Sequence, residues 1–326
     1  MNEKLFLQQI DLIRRKTESR SRKCLLNDCD NKAIKSHVLQ KNGILSEMSV
    51  NNHLFQFGNA SPFNIPIPNK RLFELPQIGV NDAFTFKGFC AEHDSSLFHS
   101  IENIPFDITK PASIALFSYR TLCQEIRRKE IASEITKQLI SYNSTNPMID
   151  LIINLHDGQI AGLKNLNFFK NEFESERDLK NDNYLYKICE IPRTEICISA
   201  PLQIYDGNNV FSDADRSFGE DGSPFVTSIL NIFPFKEKSY VMLALHKKYW
   251  CFWSDELFNE FDKSNGNEHF KLLSDLISTR VEFWCMSPNL KAKIDKVKLD
   301  KLIKIWSNEV LNFDADIPNN FNLFEK

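Results

Sequence analysis

A chain of 326 residues with 42% hydrophobic and 25% charged residues has the composition of an ordinary globular protein. It is long enough to bury a sizeable core across two or three domains. Apolar runs such as "IALF" and "VMLAL" are a few residues each, which excludes a membrane span, and 27 Phe against 10 Gly predict an aromatic core. The net charge of −3 hides an uneven distribution, because residues 1–50 carry ten Lys and Arg against six Asp and Glu.

In chain order, Leu5, Phe6, Ile10, Leu12 and Ile13 space an amphipathic helix over residues 3–16. It lacks the apolar centre of a signal peptide, so a cytoplasmic protein is expected, and eight Cys in a reducing compartment do not form a disulfide scaffold. The helix runs into "RRKTESRSRK", where Arg14, Arg15, Lys16, Arg20, Arg22 and Lys23 are opposed by Glu18 alone. Such a run either contacts nucleic-acid phosphates or is a solvated helix end, and the sequence leaves both readings open.

Cys24 and Cys29 then make a C-x4-C knuckle, and after a long gap Cys90 and His93 make C-x2-H. Two ligand pairs of this kind are what a tetrahedral Zn2+ site requires. "AFTFKGF" alternates like a strand, and "EHDSSLFHSIEN" puts Leu97, Phe98 and Ile101 at helical spacing, so the second pair falls where a strand turns into a helix, the layout of a treble clef. Between the pairs, Val38, Leu39, Ile44, Leu45 and Met48 are spaced as a short helix running from His37. Residues 51–80 are rich in Asn, Pro and Phe, and prolines 62, 66, 68 and 76 exclude a continuous helix there. An extended insertion crossing the surface is expected, with His53 exposed on it.

A long helix is predicted from Lys110 to Tyr142, with Ala115, Tyr119, Leu122 and Ile126 on one face and a solvated "EIRRKE" on the other. A second runs from Met148 to about Glu174, with a break near Gly158 and Gly162, and the two form a helical connector. The period then switches to two. "YLYKICEI", "TEICISAPLQIY", "FVTSILNIF" and "KSYVMLALH" are four strands, the last two joined as a hairpin. The acidic "SDADRSFGEDGSP", with Asp213 and Asp215, reads as a solvated connection rather than a Ca2+ loop. Helices at 254–261 and 268–278, a strand "VEFWCMS" and a helix from Lys296 to Leu311 follow. Cys123, Cys189, Cys197, Cys251 and Cys285 read as buried thiols, and Trp250, Trp253 and Trp284 as core or interface aromatics. His156, His246 and His269 each stand alone. The expected class is α+β: an N-terminal treble-clef zinc module over 1–105, a helical connector over 106–182, and a mixed α+β domain over 183–326 with a largely antiparallel sheet.

The phrase "SHVLQKNGIL … FKGFCAEHD", together with the knuckle and the ligand pair opening a helix, resembles the HNH, or His-Me finger, nucleases. It also looks like a set of bacterial proteins of unassigned activity. The resemblance covers roughly residues 20–105. It implies a structural Zn2+, His37 as general base, and Asp94, next after the last zinc ligand, as ligand of a catalytic Mg2+ or Mn2+. The activity it implies is a metal-dependent endonuclease on nucleic acid, in bacterial defence. The competing class is a non-catalytic zinc-stapled module that binds nucleic acid or protein. The expected partner is nucleic acid, not a membrane, with a protein partner or a second copy taken by the C-terminal domain.

Overall fold

A computed structural model describes residues 3–59, 73–102, 106–142, 149–175, 182–202, 224–250, 252–309 and 321–325. The elements in order are α1 (Glu3–Ser19), β1 (Lys35–His37), a π-helical turn (Lys41–Leu45), α2 (Ser46–Met48), β2 (His53–Gln56), β3 (Gly58–Asn59), β4 (Phe73–Glu74), β5 (Gln77–Gly79), β6 (Thr85–Lys87), α3 (Ala91–Leu97) and α4 (His99–Glu102). Then come α5 (Pro111–Tyr142), α6 (Ile149–Glu174), β7 (Tyr184–Pro192), β8 (Ile196–Leu202), β9 (Ser228–Phe235), β10 (Lys238–His246), α7 (Phe252–Lys263), α8 (Glu268–Thr279), β11 (Trp284–Met286), α9 (Pro288–Lys293) and α10 (Lys296–Glu309).

The fold is mixed helix and strand around a seven-stranded sheet of order β5-β2-β11-β8-β9-β10-β7. Every pairing in that sheet is antiparallel. Alternation along the strands sends Cys197, Ile229, Phe233, Met242 and Cys285 to one face, against α5, α6 and the Cys/His region. It sends Ile196, Ile198, Leu230, Ile232, Leu243 and Trp284 to the other, against α7, α8 and α10. The four strands read from the period-two pattern are β7 to β10. Lys236, at φ 56°, makes the tight turn between β9 and β10.

Helix α5 runs through the centre. Residues 113–124 are buried without interruption, so it carries no polar outer face over those three turns. Thr121 Oγ1 lies 2.7 Å from Ser199 Oγ and donates to Asn231 Oδ1 at 2.9 Å, tying the helix to β8 and β9. No helix among the described residues is long and apolar enough to cross a membrane.

Several expectations are corrected. Residues 51–80 are not a surface insertion in their described part: β2 and β5 are strands of the main sheet, and Phe57 and Phe73 stack 5.3 Å apart, fully buried beside Trp284. The phenylalanines won over the prolines because burying each ring removes a large apolar area from water. His37 ends a strand paired with β6 rather than starting a helix, and the helical turns begin at Lys41. Helix α6 continues through Gly158 and Gly162 without a break, and a Cβ at Gly162 would sit 3.0 Å from the Lys129 side chain of α5, so that glycine permits the close crossing. Arg127 of the supposedly solvated face is 5% exposed, and of the core and interface alternatives for Trp250 its 47% exposure removes the core. Cys123, Cys189, Cys197 and Cys285 are buried, and His53 is exposed, as expected. His246 does not stand alone, lying 3.4 Å from Glu172, and His156 lies 2.9 Å from Thr136. Asp213, Asp215, Cys251, prolines 62, 66 and 68 and the Trp253 side chain lie outside the described residues.

Candidate metal centre and its surroundings

Strands β1 and β6, far apart in the chain, pair as a two-stranded antiparallel sheet, with Ser36 opposite Phe86 and His37 opposite Thr85, and the chain passes from β6 into α3. Gly88 makes that passage: the Phe86 ring folds to 2.4 Å from where a Cβ would stand, so a side chain there would displace the ring. Cys90 is the N-cap of α3 with extended backbone, and His93 follows one turn in. The knuckle closes on the same spot. Cys24 N donates to Asn31 O at 2.8 Å, Asp28 takes φ 60° at the bend, and Leu25 N donates to Gly88 O at 2.9 Å, joining the two halves.

The four side chains predicted from the spacing, Cys24, Cys29, Cys90 and His93, do converge, with their ligand atoms all within 4.8 Å of one another. Nearest separations are 3.4 Å from Cys90 Sγ to His93 Nδ1, 3.5 Å from Cys24 Sγ to His93 Nδ1 and 3.9 Å from Cys29 Sγ to Cys90 Sγ. A regular tetrahedron with Zn–S of about 2.3 Å and Zn–N of about 2.0 Å has edges of roughly 3.5–3.8 Å. The Cys3His cluster fits a metal ion such as zinc. Burial pushes the Cys24 thiol up to about 11, while the His93 backbone N–H holds Cys90 below the usual thiol range. Metal binding at this cluster therefore displaces protons.

Side chains outside the expected module fix it to the body of the protein. Arg127 of α5 donates to the Lys87 carbonyl at 2.7 Å and the Lys23 carbonyl at 2.6 Å, one on each half of the cluster. Asn27, at the knuckle tip, accepts from Lys170 Nζ at 2.7 Å, and its N–H donates to Glu174 Oε2 at 3.1 Å. Lys170 and Glu174 are themselves a buried pair 2.9 Å apart, and Tyr119 donates its hydroxyl to Glu174.

His37 is half-buried, and its Nε2 lies 3.1 Å from the Val80 carbonyl. A carbonyl only accepts, so Nε2 carries the proton and Nδ1 carries the lone pair. Burial holds the His37 imidazole below its usual range, which favours the neutral form. Asp94 does not stand free. Its Oδ1 is 3.8 Å from the Arg120 guanidinium, beyond hydrogen-bonding distance, and is buried without a hydrogen-bond partner. Arg120 is 1% exposed, pairs closely with Glu102 and lies 3.9 Å over the Phe98 ring. Sequence reasoning missed Arg120, Glu102 and Arg127. A charged residue inside the apolar run "IALFSYRTLC" was the available signal for Arg120.

The basic run is engaged within the chain. Arg14 and Arg15 pair with Asp11 at 2.8 and 2.7 Å, Arg20 with Glu134 at 3.2 Å, and Lys23 with Asp30 at 2.6 Å. Arg22 is buried against Glu134 and the Thr17 carbonyl, while Lys16 is exposed. Comparison with family models, curated proteins and solved structures returns no match.

Proposed function

We propose that the chain is a metal-dependent, HNH-like endonuclease acting on nucleic acid, with His37 as general base, Asp94 as ligand of a catalytic divalent cation, and a structural Zn2+ at the Cys3His cluster. The observation that carries this reading is the β1/β6 strand pair followed by α3, with His37 on β1 and Asp94 one residue past the last ligand of the cluster. Two details of the side chains suit the roles. The Val80 carbonyl fixes the His37 tautomer, leaving Nδ1 to take a proton from water, and burial keeps that lone pair available. The Asp94 Oδ1 lone pairs meet no hydrogen-bond donor. A divalent cation, when bound there, neutralises charge on the scissile phosphate and the leaving oxygen.

His37→Ala is expected to abolish Mg2+- or Mn2+-dependent cleavage of DNA or RNA while leaving zinc content and folding intact, because His37 is not among the four cluster side chains. Cleavage that survives the substitution, or purified protein that leaves both nucleic acids uncut with every common divalent ion, removes the reading. A second reading is favoured by a specific observation: Arg120 stands against Asp94, and five of the six cations of the basic run have carboxylate partners. On that reading the zinc cluster is a staple that orders a non-catalytic binding surface.

A further inference from the structure

Nearly all the aromatic side chains of this protein are turned inward. Among the described residues the exposed ones are Tyr142, Trp250 and Phe252, and two of these stand together. Trp250 is 47% and Phe252 52% exposed, with ring centroids 6.3 Å apart and planes at 67°. Lys247 and Lys248, both exposed, lead into the pair, and the chain from His246 to Phe252 holds two lysines and no acid. Asp255, the first acid beyond it, is already paired with Lys187. Leu185, 47% exposed, lies across from Leu245 at the same end of the β7/β10 ladder and widens the apolar part of the surface.

The backbone that carries these side chains is pinned from beneath. His246 Nδ1 accepts from Lys248 N at 3.3 Å and from Tyr249 N at 3.2 Å, and its ring stacks on Tyr249 at 5.1 Å. Lys247 N donates to the Asn183 carbonyl at 2.7 Å. Holding two large rings in water on a fixed backbone forgoes the burial that the fold obtains for its other aromatics, which is the pattern of a recognition surface. Its place in the fold is equally specific. Tyr249 meets the Phe168 ring of α6 edge-on at 5.6 Å, and two residues further along that helix Lys170 holds Asn27 at the tip of the knuckle. A single turn of α6 therefore joins the exposed rings to the metal centre.

We infer that Trp250 and Phe252, flanked by Lys247 and Lys248, form a stacking platform for single-stranded nucleic acid beside the metal centre. Charge complementarity selects a polyanion, and the exposed rings select bases that are not already stacked and paired within a duplex. Stacking on an aromatic face tolerates any base, and no group of the platform reads the sugar, so DNA and RNA single strands bind alike. A membrane surface or a second copy of the chain calls for a broad apolar face, whereas here two rings stand next to two cations. The platform deepens the proposed function by naming its substrate as single-stranded, and it rests on that reading for the class of polymer alone, because binding is measured apart from cleavage.

The test is fluorescence anisotropy with labelled oligo-dT, oligo-rU and a blunt DNA duplex, on the full-length, zinc-loaded protein with no Mg2+ or Mn2+ added, so that no strand is cut. Both single strands are expected to bind more tightly than the duplex at equal salt. Trp250→Ala with Phe252→Ala is expected to weaken single-strand binding by about 5–150-fold and to leave duplex binding within about twofold, while Trp250→Phe alone, which keeps a ring, retains most of the affinity. Lys247→Gln with Lys248→Gln should reduce the single-strand salt slope by about 1.4, two phosphates at about 0.7 each. Zinc content and the urea midpoint should not move in these variants, because the altered side chains are exposed. Single-strand affinity unchanged in the double alanine variant, equal losses for strand and duplex, or no strand binding by the unmodified chain each overturns the platform. Binding to phosphatidylserine vesicles without strand binding, or a dimer in sedimentation that the alanine substitutions dissolve, assigns the surface to a membrane or a second copy and overturns it too. Strand binding that depends on the two rings, with no cleavage under any divalent ion, supports the platform and removes the nuclease reading. Cleavage and strand affinity both untouched by the substitutions overturn the platform and leave the proposed function standing.

Discussion

Replacing Lys170 by Met tests whether the knuckle is locked to the helical core. Lys170 and Glu174 are only 4% and 7% exposed at their side chains and lie 2.9 Å apart. The ammonium also donates to Asn27 Oδ1, while Glu174 additionally accepts from Asn27 N and the Tyr119 hydroxyl. Methionine fills the same volume but strands the Glu174 carboxylate in a buried site, and breaking a buried pair by removing one partner costs about 3–5 kcal/mol. That is a large share of the roughly 5–15 kcal/mol that holds a typical domain folded. The double variant Lys170→Met with Glu174→Gln removes the buried charge and keeps an acceptor oxygen for one of the two donors, Tyr119 or Asn27, which bond different carboxylate oxygens. It is expected to recover at least about 2 kcal/mol of the loss, since the charge is the expensive part. Urea unfolding of the zinc-loaded protein, followed by tryptophan fluorescence, gives both numbers, and zinc release to a chromophoric chelator should accelerate in the single variant because Asn27 lies between Cys24 and Cys29. A loss under about 1 kcal/mol with an unchanged zinc off-rate would refute the idea that this pair anchors the knuckle.

Cys90→Ser is expected to lose the metal and to expose the knuckle and α3 in hydrogen exchange, and one zinc per chain retained by that variant would rule out the Cys3His cluster as the site. Stability should fall with acid. Burial lowers the folded values of His37, His246 and His269, so their contribution is complete above the unfolded value of about 6.5 and is lost as the pH drops below it toward the folded values. His269→Leu should shrink the pH dependence of the urea midpoint in that window, and an unaltered slope would exclude this histidine as a source. Within the basic run, any phosphate contact falls to its exposed side chains, so Arg15→Gln with Lys16→Gln should weaken DNA binding and reduce the salt slope by about two. Binding that is absent or indifferent to salt in the unmodified chain removes nucleic acid from its partners.

The elements with a strong local period were legible from the sequence, as was the ligand set. Cys24, Cys29, Cys90 and His93 could be read together because chelation demands particular side chains at short spacings, and the bends that present them are written locally in the knuckle and in the strand-to-helix turn. The period-two strands β7 to β10 and the long helix α5 follow from the same kind of local repetition. Tertiary structure alone decided what lies between and around them. That Phe57 and Phe73 bury themselves against Trp284, carrying β2 into a sheet with strands far along the chain, depends on a surface assembled from distant segments. The charged residues of α5 were illegible for the same reason. Arg120 and Arg127 look like ordinary helix cations until α3, α4 and the knuckle supply the carboxylates and carbonyls that make their burial affordable. A buried charge is tolerable only with partners, and here the partners come from segments far apart in the chain, so local spacing carries no trace of them.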